Sequence, residues 1–171
     1  MVILMIPLIG VMALAVDGFM IMDYGVQQES NAEFAALSGI KEFRKRYIEL
    51  NDSFTNSRNA AVSKAAQIAG TNTTVGNGNV SNMANGIFDP TYGEIQLGHL
   101  LPDNKFIESP DQATFDSRST LRAAVRVLLK TNDKNSVKAR FSKILNFSAF
   151  HSQREAICFY NQVSGVYGIL Q

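Results

Sequence analysis

Residues 1–50 read MVILMIPLIGVMALAVDGFMIMDYGVQQESNAEFAALSGIKEFRKRYIEL, and how this stretch is read decides the fold. From Met1 to Met22 the single charged side chain is Asp17. As a helix the run would be about 33 Å long, close to the thickness of a bilayer's hydrocarbon core. Three readings compete. A cleavable signal peptide calls for a basic n-region and a short apolar stretch ending at a small-residue site, yet no Lys or Arg opens the run and it continues past Ala15 without a stop. A buried core helix is rarely apolar on every face over this length. A membrane-inserted or filament-core helix fits both the length and the all-round apolarity.

Pro7 falls near the start of this helix, where a missing N–H costs least. Gly10, Ala13 and Ala15 are small enough to let neighbouring helices approach closely, and with Met1 and Ile6 they mark the candidate assembly helix. Asp17 needs an explanation, because a carboxylate in an apolar helix is costly unless it lies near the interface, is protonated or has a partner. Two placements are open: the outer edge of a membrane, with Asp23 marking water, or a pairing with a donor on a neighbouring helix. The first cations, Lys41, Arg44, Lys45 and Arg46, come about 20 residues beyond the apolar run, near the limit of the positive-inside bias. Charge alone leaves orientation open.

Across residues 26–50 the period is helical. Leu37, Ile40, Phe43, Tyr47 and Leu50 recur at threes and fours, with Lys41, Glu42, Lys45 and Glu49 opposite. No proline falls between residues 8 and 89, so the apolar run can continue into this helix as one rod. Asn51-Asp52-Ser53 breaks the pattern. A second helix follows, capped by Asn56 or Ser57, with Ala61, Val62, Ala65 and Ile68 on one face and Gly70 at its close. Residues 71–82 read as a polar loop, 86–89 as a short extended piece, and 90–116, which hold three of the four prolines, as a long surface excursion. Residues 121–129 alternate as a strand, with Leu121, Ala123, Val125, Val127 and Leu129 on one side and Arg122 and Arg126 on the other. A polar turn at 131–135, a helical turn at 141–145, a strand at 148–160 and an apolar edge strand or interface segment at 163–170 complete the chain. The expected class is α+β: a long hydrophobic N-terminal helix continuing into an amphipathic one, a second helix, then a small antiparallel sheet. Residues 1–24 form the transmembrane or assembly helix and 25–171 an extracytoplasmic domain.

The 171 residues are 46% hydrophobic and 18% charged, with a net charge of +1, so no global field draws the chain to nucleic acid. Its single cysteine, Cys158, permits no intrachain disulfide and reads as a buried small hydrophobe. His99 and His151 lack Cys or carboxylate neighbours at ligand spacing, so no metal or other cofactor is expected. There is no phosphate loop, dinucleotide fingerprint or nucleophile elbow. Arg44-Lys45-Arg46 is read as a solvated helix face. The expectation is a protein that is not an enzyme.

The segment AVDGFMIMDYGVQQESNAEFAALSG, residues 15–39, resembles the N-terminal signature of TadG/TadE-like proteins of tight-adherence pili. That signature is an apolar helix ending in Ala-Val-Asp, then about a dozen residues, then an alanine-rich run. Asp17, Ala32, Ala35, Ala36 and Leu37 match in place, while Phe34 stands where the family carries a small residue. Downstream, residues 59–70, Gly86-Ile87-Phe88-Asp89, Ala124-Val125-Arg126-Val127 and residues 141–147 are similar to the family's later motifs in the same order. Residue 5 is Met where processed type IV-like pilins carry Glu. The resemblance implies a minor-pilin-like component, anchored in a bacterial inner membrane with its body in the periplasm or outside the cell in a filament. Its implied partners are other copies of itself or other pilin-type subunits. The alternative is a single-pass membrane protein whose periplasmic domain binds a partner during pilus assembly. Under either reading Ala32, Ala36, Leu37, Ile40, Phe43 and Tyr47 form the packing face below the anchor.

Overall fold

The computed structural model describes residues 2–71, 93–131, 137–138, 149–150, 152–161 and 164–170, with the backbone alone for 2–7, 71, 137–138 and 149–150. Helix α1, Val2–Arg44, is continuous over 43 residues and about 65 Å. A π turn, Lys45–Glu49, ends it. Helix α2, Phe54–Thr71, folds back along α1. There follow β1 (Gly93–Leu100), β2 (Phe106–Glu108), the short α3 (Gln112–Asp116), β3 (Arg122–Lys130), β4 (Val137–Lys138), β5 (Ala149–Phe150), β6 (Gln153–Tyr160) and β7 (Tyr167–Leu170). Five strands form one antiparallel sheet in the order β2-β1-β3-β6-β7, and β4 pairs with β5 separately. The layout is α+β and pilin-like, as the sequence predicts: a helical hairpin on one face of a small antiparallel sheet.

The hairpin closes at Asn51, whose φ of 52° is tolerated by Asn better than by most residues. Ser53 caps α2, its Oγ accepting the Asn56 N–H at 3.3 Å. The helix therefore starts earlier than the expected cap at Asn56 or Ser57, and this brings Phe54 into the core. The π turn also corrects the placement of Leu50. With Leu50 N–H bonded back to the Lys45 carbonyl at 3.0 Å, the helical phase slips, and Leu50 is left 65% exposed instead of joining the packing face.

Ala32, Ala35, Ala36, Ile40 and Phe43 of α1 meet Ala61, Ala65, Ala66 and Ala69 of α2 and the inward side chains of the sheet, Ile95, Leu97, Ala123, Val125, Val127, Leu129, Ala156 and Cys158. Leu37, Tyr47, Val62 and Ile68 pack at the margin of this core. Small residues allow close approach. A Cβ on Gly39 would stand 3.2 Å from Ala65 Cβ, 3.2 Å from Val125 Cγ1 and 3.3 Å from the Ala61 carbonyl. At the lower end Phe43, Tyr47, Phe54 and Phe115 form an aromatic cluster with ring centroids 5.1–6.1 Å apart.

Residues 93–116 are not a surface excursion. They hold β1, β2 and α3, bounded by Pro102 and Pro110, which interrupt the ladder only between elements. The strand expected at 121–129 forms as β3 and lies between β1 and β6. The expected strand at 148–160 is divided into β5 and β6, and the apolar segment near the end supplies edge strand β7. On the outer sheet face Arg126 grips Glu155 with two bonds of 2.9 and 2.8 Å and reaches Gln96 at 3.0 Å, while Gln96 bonds Glu94 and Glu108. The expected loop at 72–82, the extended piece at 86–89 and the turns at 132–135 and 141–145 lie outside the described residues.

Two consequences follow for stability. Gly39→Val adds methyl groups where α1, α2 and β3 leave no room, and the full chain in detergent should lose about 1–3 kcal/mol in chemical denaturation; an unchanged midpoint would contradict the packing. His99, 1% exposed, bonds Ser109 Oγ through Nδ1 at 3.1 Å and stacks on Phe115, and burial together with the Arg118 charge pushes its pKa down to about 4. The neutral ring is the folded form, so its contribution is complete above the unfolded pKa near 6.5 and is lost as pH falls from 6.5 towards 4. Comparison of the parent with His99→Gln should show an excess acid destabilisation in the parent of up to about 3 kcal/mol across that window.

Candidate assembly surface on the N-terminal helix

Two lengths of α1 differ in what covers them. Leu8, Ile9, Val11, Met12, Leu14 and Val16 are all exposed. From Asp17 onward one stripe is buried: residues 17, 24, 25, 28, 31, 32, 35, 36, 39, 40 and 43, steps of one, three, four and seven that trace one face of a helix. The body therefore covers one face of α1 as far up as Asp17.

That stripe changes character along its length. Below Asn31 it is alanine, glycine, isoleucine and phenylalanine; above, it is Asp17, Tyr24, Gly25, Gln28 and Asn31. Polar groups at these positions must be met by polar groups on the body. Ser152 does this for the Gln28 side-chain carbonyl: its backbone N–H bonds Thr131 Oγ1 at 2.6 Å, its carbonyl accepts the Thr131 N–H at 2.9 Å, and its hydroxyl donates to Gln28 Oε1, while Gln28 Nε2 has no hydrogen-bond partner among the described residues. Arg154 lies 3.8 Å from Glu29, and its guanidinium crosses so close to Gly25 that a Cβ there would meet Nη2 at 3.0 Å. Glycine at 25 is thus the space in which Arg154 lies.

Asp17 is 3% exposed within its own chain. This departs from both placements open to the sequence, since a carboxylate covered by its own subunit presents almost no surface to a membrane edge or to a neighbouring helix. Opposite the buried stripe, Phe19, Met22, Val26 and Phe34 stand 74, 70, 66 and 56% exposed. The first three continue the bare apolar surface of residues 8–16 down the outer face of the rod, forming a contiguous patch of the kind that marks an interaction surface. Their spacing of three and four was the available signal, but it is submerged in a run apolar on all sides.

Of the residues singled out for assembly, Met1 lies outside the described residues, and Ile6 and Pro7 are described by their helical backbone alone. Pro7 is the sixth residue of α1, one turn deeper than the most tolerant position. Gly10 has open space around it, Ala15 is exposed and Ala13 half-buried. The second group is internal: Ala32, Ala36, Ile40 and Phe43 are buried in the body, with Leu37 and Tyr47 at its margin. Among the described residues one helix, α1, is long and apolar enough to cross a membrane, a test that signal sequences and core helices also meet.

Among the described residues no group of three or more His, Cys, Asp or Glu side chains is placed to hold a metal. The Cys158 thiol is buried, and its pKa is pushed up to about 12 by that burial, so it is not poised as a nucleophile. Of the basic run, Arg44 lies 4.6 Å over the Tyr160 ring and bonds Tyr167, and Arg46 bonds Glu42 at 2.7 Å, which leaves Lys45 exposed. Compared with known proteins, the chain matches no protein-family model, and no curated protein or solved structure gives a significant match.

Replacing Phe19, Met22 and Val26 together with Ser should leave the body's denaturation midpoint nearly unchanged, with each exposed site contributing within about 0.5 kcal/mol. The same variant should shift towards the aqueous phase in cloud-point detergent partitioning. A large loss of stability would instead place these side chains inside the fold.

Proposed function

We propose that this chain is a structural, minor-pilin-like subunit of a bacterial surface filament, held in the inner membrane by the upper part of α1 before assembly and carrying its body on the periplasmic side. The observation that carries this reading is the division of one unbroken helix into a bare apolar half and a half that is the spine of an α+β body. The TadG/TadE-like succession of motifs supports the same assignment. A rigid helix shared by anchor and body transmits the position of one to the other without a hinge.

The mechanism is burial in two solvents. In lipid the side chains at 8–16 are already in an apolar medium, so association there depends on close packing, for which Gly10, Ala13 and Ala15 provide small surfaces. Once withdrawn from lipid into a filament core the same side chains would otherwise face water. At 1.5–3 kcal/mol for each fully buried large side chain, the six exposed ones from Leu8 to Val16 represent on the order of 10 kcal/mol. The partners are accordingly other copies of the chain or similar subunits, and the proposed role is cohesive, not catalytic.

Gly10→Phe tests this directly, because the open space at Gly10 lets a single folded chain accept the ring. Cells of the native host would be sheared, and filaments and washed membranes probed for parent and variant. The expected result is parent in the sheared fraction and the variant held in the membrane with its body folded. A parent found only in the membrane would instead assign the chain to the single-pass class that binds a partner in the periplasm.

A further inference from the structure

We propose that two copies of the chain pair in parallel through a heptad seam on the outer face of α1, made of Leu8, Met12, Ala15, Phe19, Met22 and Val26. This rests on the anchoring part of the reading above, which brings every copy into one membrane from the same side. It names a second copy as the partner of that helix face.

The spacing carries the argument. Between Asp17, where the body begins to cover α1, and Glu33, the exposed large apolar side chains are Phe19, Met22 and Val26. Their steps of three and four continue upward without a break onto Ala15, Met12 and Leu8. The six therefore occupy the a and d positions of a heptad over about 27 Å of helix. All are exposed, the five large ones by 61–74%. At about 100° per residue they centre half a turn from the stripe that the body covers, so the body does not stand over them. On a straight helix a 3.5-residue repeat drifts by about 20° per heptad, and it stays in contact only with a partner that supercoils around it.

A second copy is the occupant this surface specifies. Copies held in one membrane present the same seam at the same height, so each a or d residue meets its own counterpart without stagger. The contact is two-fold and self-complementary, and it closes at two. Both bodies lie on the outer sides of the pair and do not collide.

Charge sets where the seam ends. Asp23, at an e position, accepts from Gln27 Nε2 at 2.9 Å on its own helix. Across the pair it faces the g position, Gly18, where a Cβ would meet nothing within 4 Å. No like charges therefore oppose each other along residues 8–26. The next two heptad positions are Glu29 and Glu33, each of which would face its own copy. The rods part there, below Val26.

The surface is large enough. Ile9, Val11 and Val16 flank the seam at e and g and are exposed as well. Eight large apolar side chains, each with on the order of 100 Å² open, give two copies roughly 1,600 Å² to cover, within the range of specific interfaces. Phe19, Met22 and Val26 stand level with the covered stripe, where water replaces lipid and burial itself favours pairing. Gly10 and Ala13 project from the far side of the helix, which leaves that side for other contacts.

In a parallel pair the d position Met22 and the a position Val26 each lie within disulfide reach of their own counterparts. Met22→Cys and Val26→Cys, made singly in the full-length chain and expressed in the native host, should each give a covalent dimer when washed membranes are mildly oxidised. Gln27→Cys, at the same height but off the seam, should give none above background, and buried Cys158 does not take part. The product should stop at the dimer, and adding Gly10→Phe on the far side should leave it intact. Equal cross-linking at 22, 26 and 27, or none at 22 and 26 in cells whose filaments still form, would overturn the seam and leave the assembly reading standing. Seam dimers from a parent chain found only in the membrane would uphold the seam and overturn the filament. Absence of both dimers and filaments would overturn the two together.

Discussion

At Gly39 helix α1 touches α2 and β3 at once, each within 3.3 Å of where a side chain would begin. The rest of the body is arranged around that contact. With Ala32, Ala35, Ala36 and Gly39 on one side and Ala61, Ala65, Ala66 and Ala69 on the other, the hairpin is thin enough for one α1 face to reach both its partner helix and the sheet. Larger residues would separate the layers and strand Val125 and Val127 above a void, at the cost that cavities carry in a close-packed interior. The alanine-rich sequence of the hairpin is thus a spacing device, and bulk is supplied at one end by the aromatic cluster of Phe43, Tyr47, Phe54 and Phe115.

Above Asn31 the same helix face is held by different means. Gln28 meets Ser152, Glu29 lies near Arg154, and Asp17 is buried at the top of the stripe. Buried polar contacts are poor sources of stability, because desolvation offsets most of what they return. They do specify position. An apolar stripe running uninterrupted into the bare apolar length of α1 would let the body slide along the helix or cover that length as well. A polar segment between the two makes such shifts costly, since each would leave an amide or a carboxylate without its partner. The covered length of α1 is thereby set, and the bare length above it is left for other contacts.

How much of this was legible depends on which signal each residue carries. The continuous helix and strand β3 were readable, because absence of proline and strict alternation report backbone geometry directly. Strand β1 carried the same alternation in Ile95, Leu97 and His99, but three prolines nearby outweighed it, although Pro102 and Pro110 lie only between elements. The cap at Ser53 was displaced by three residues because Phe54 looks like a core residue awaiting a helix rather than its first position. Leu50 followed the expected period and still faces solvent, since a π turn changes the phase in a way no local pattern announces. Asp17 shows the larger limit: whether a lone carboxylate faces a membrane, a neighbour or its own body depends on the tertiary fold.

On the proposed reading, the cohesive surface of α1 answers to two solvents in turn. Helix packing among residues 8–16 has no hydrophobic drive while the chain is in lipid, and acquires one only when the anchor leaves it. Copies waiting in the membrane would then hold one another weakly through their anchors, because these are already in an apolar medium. Extraction changes one term alone, and changes it by an amount on the order of 10 kcal/mol per chain.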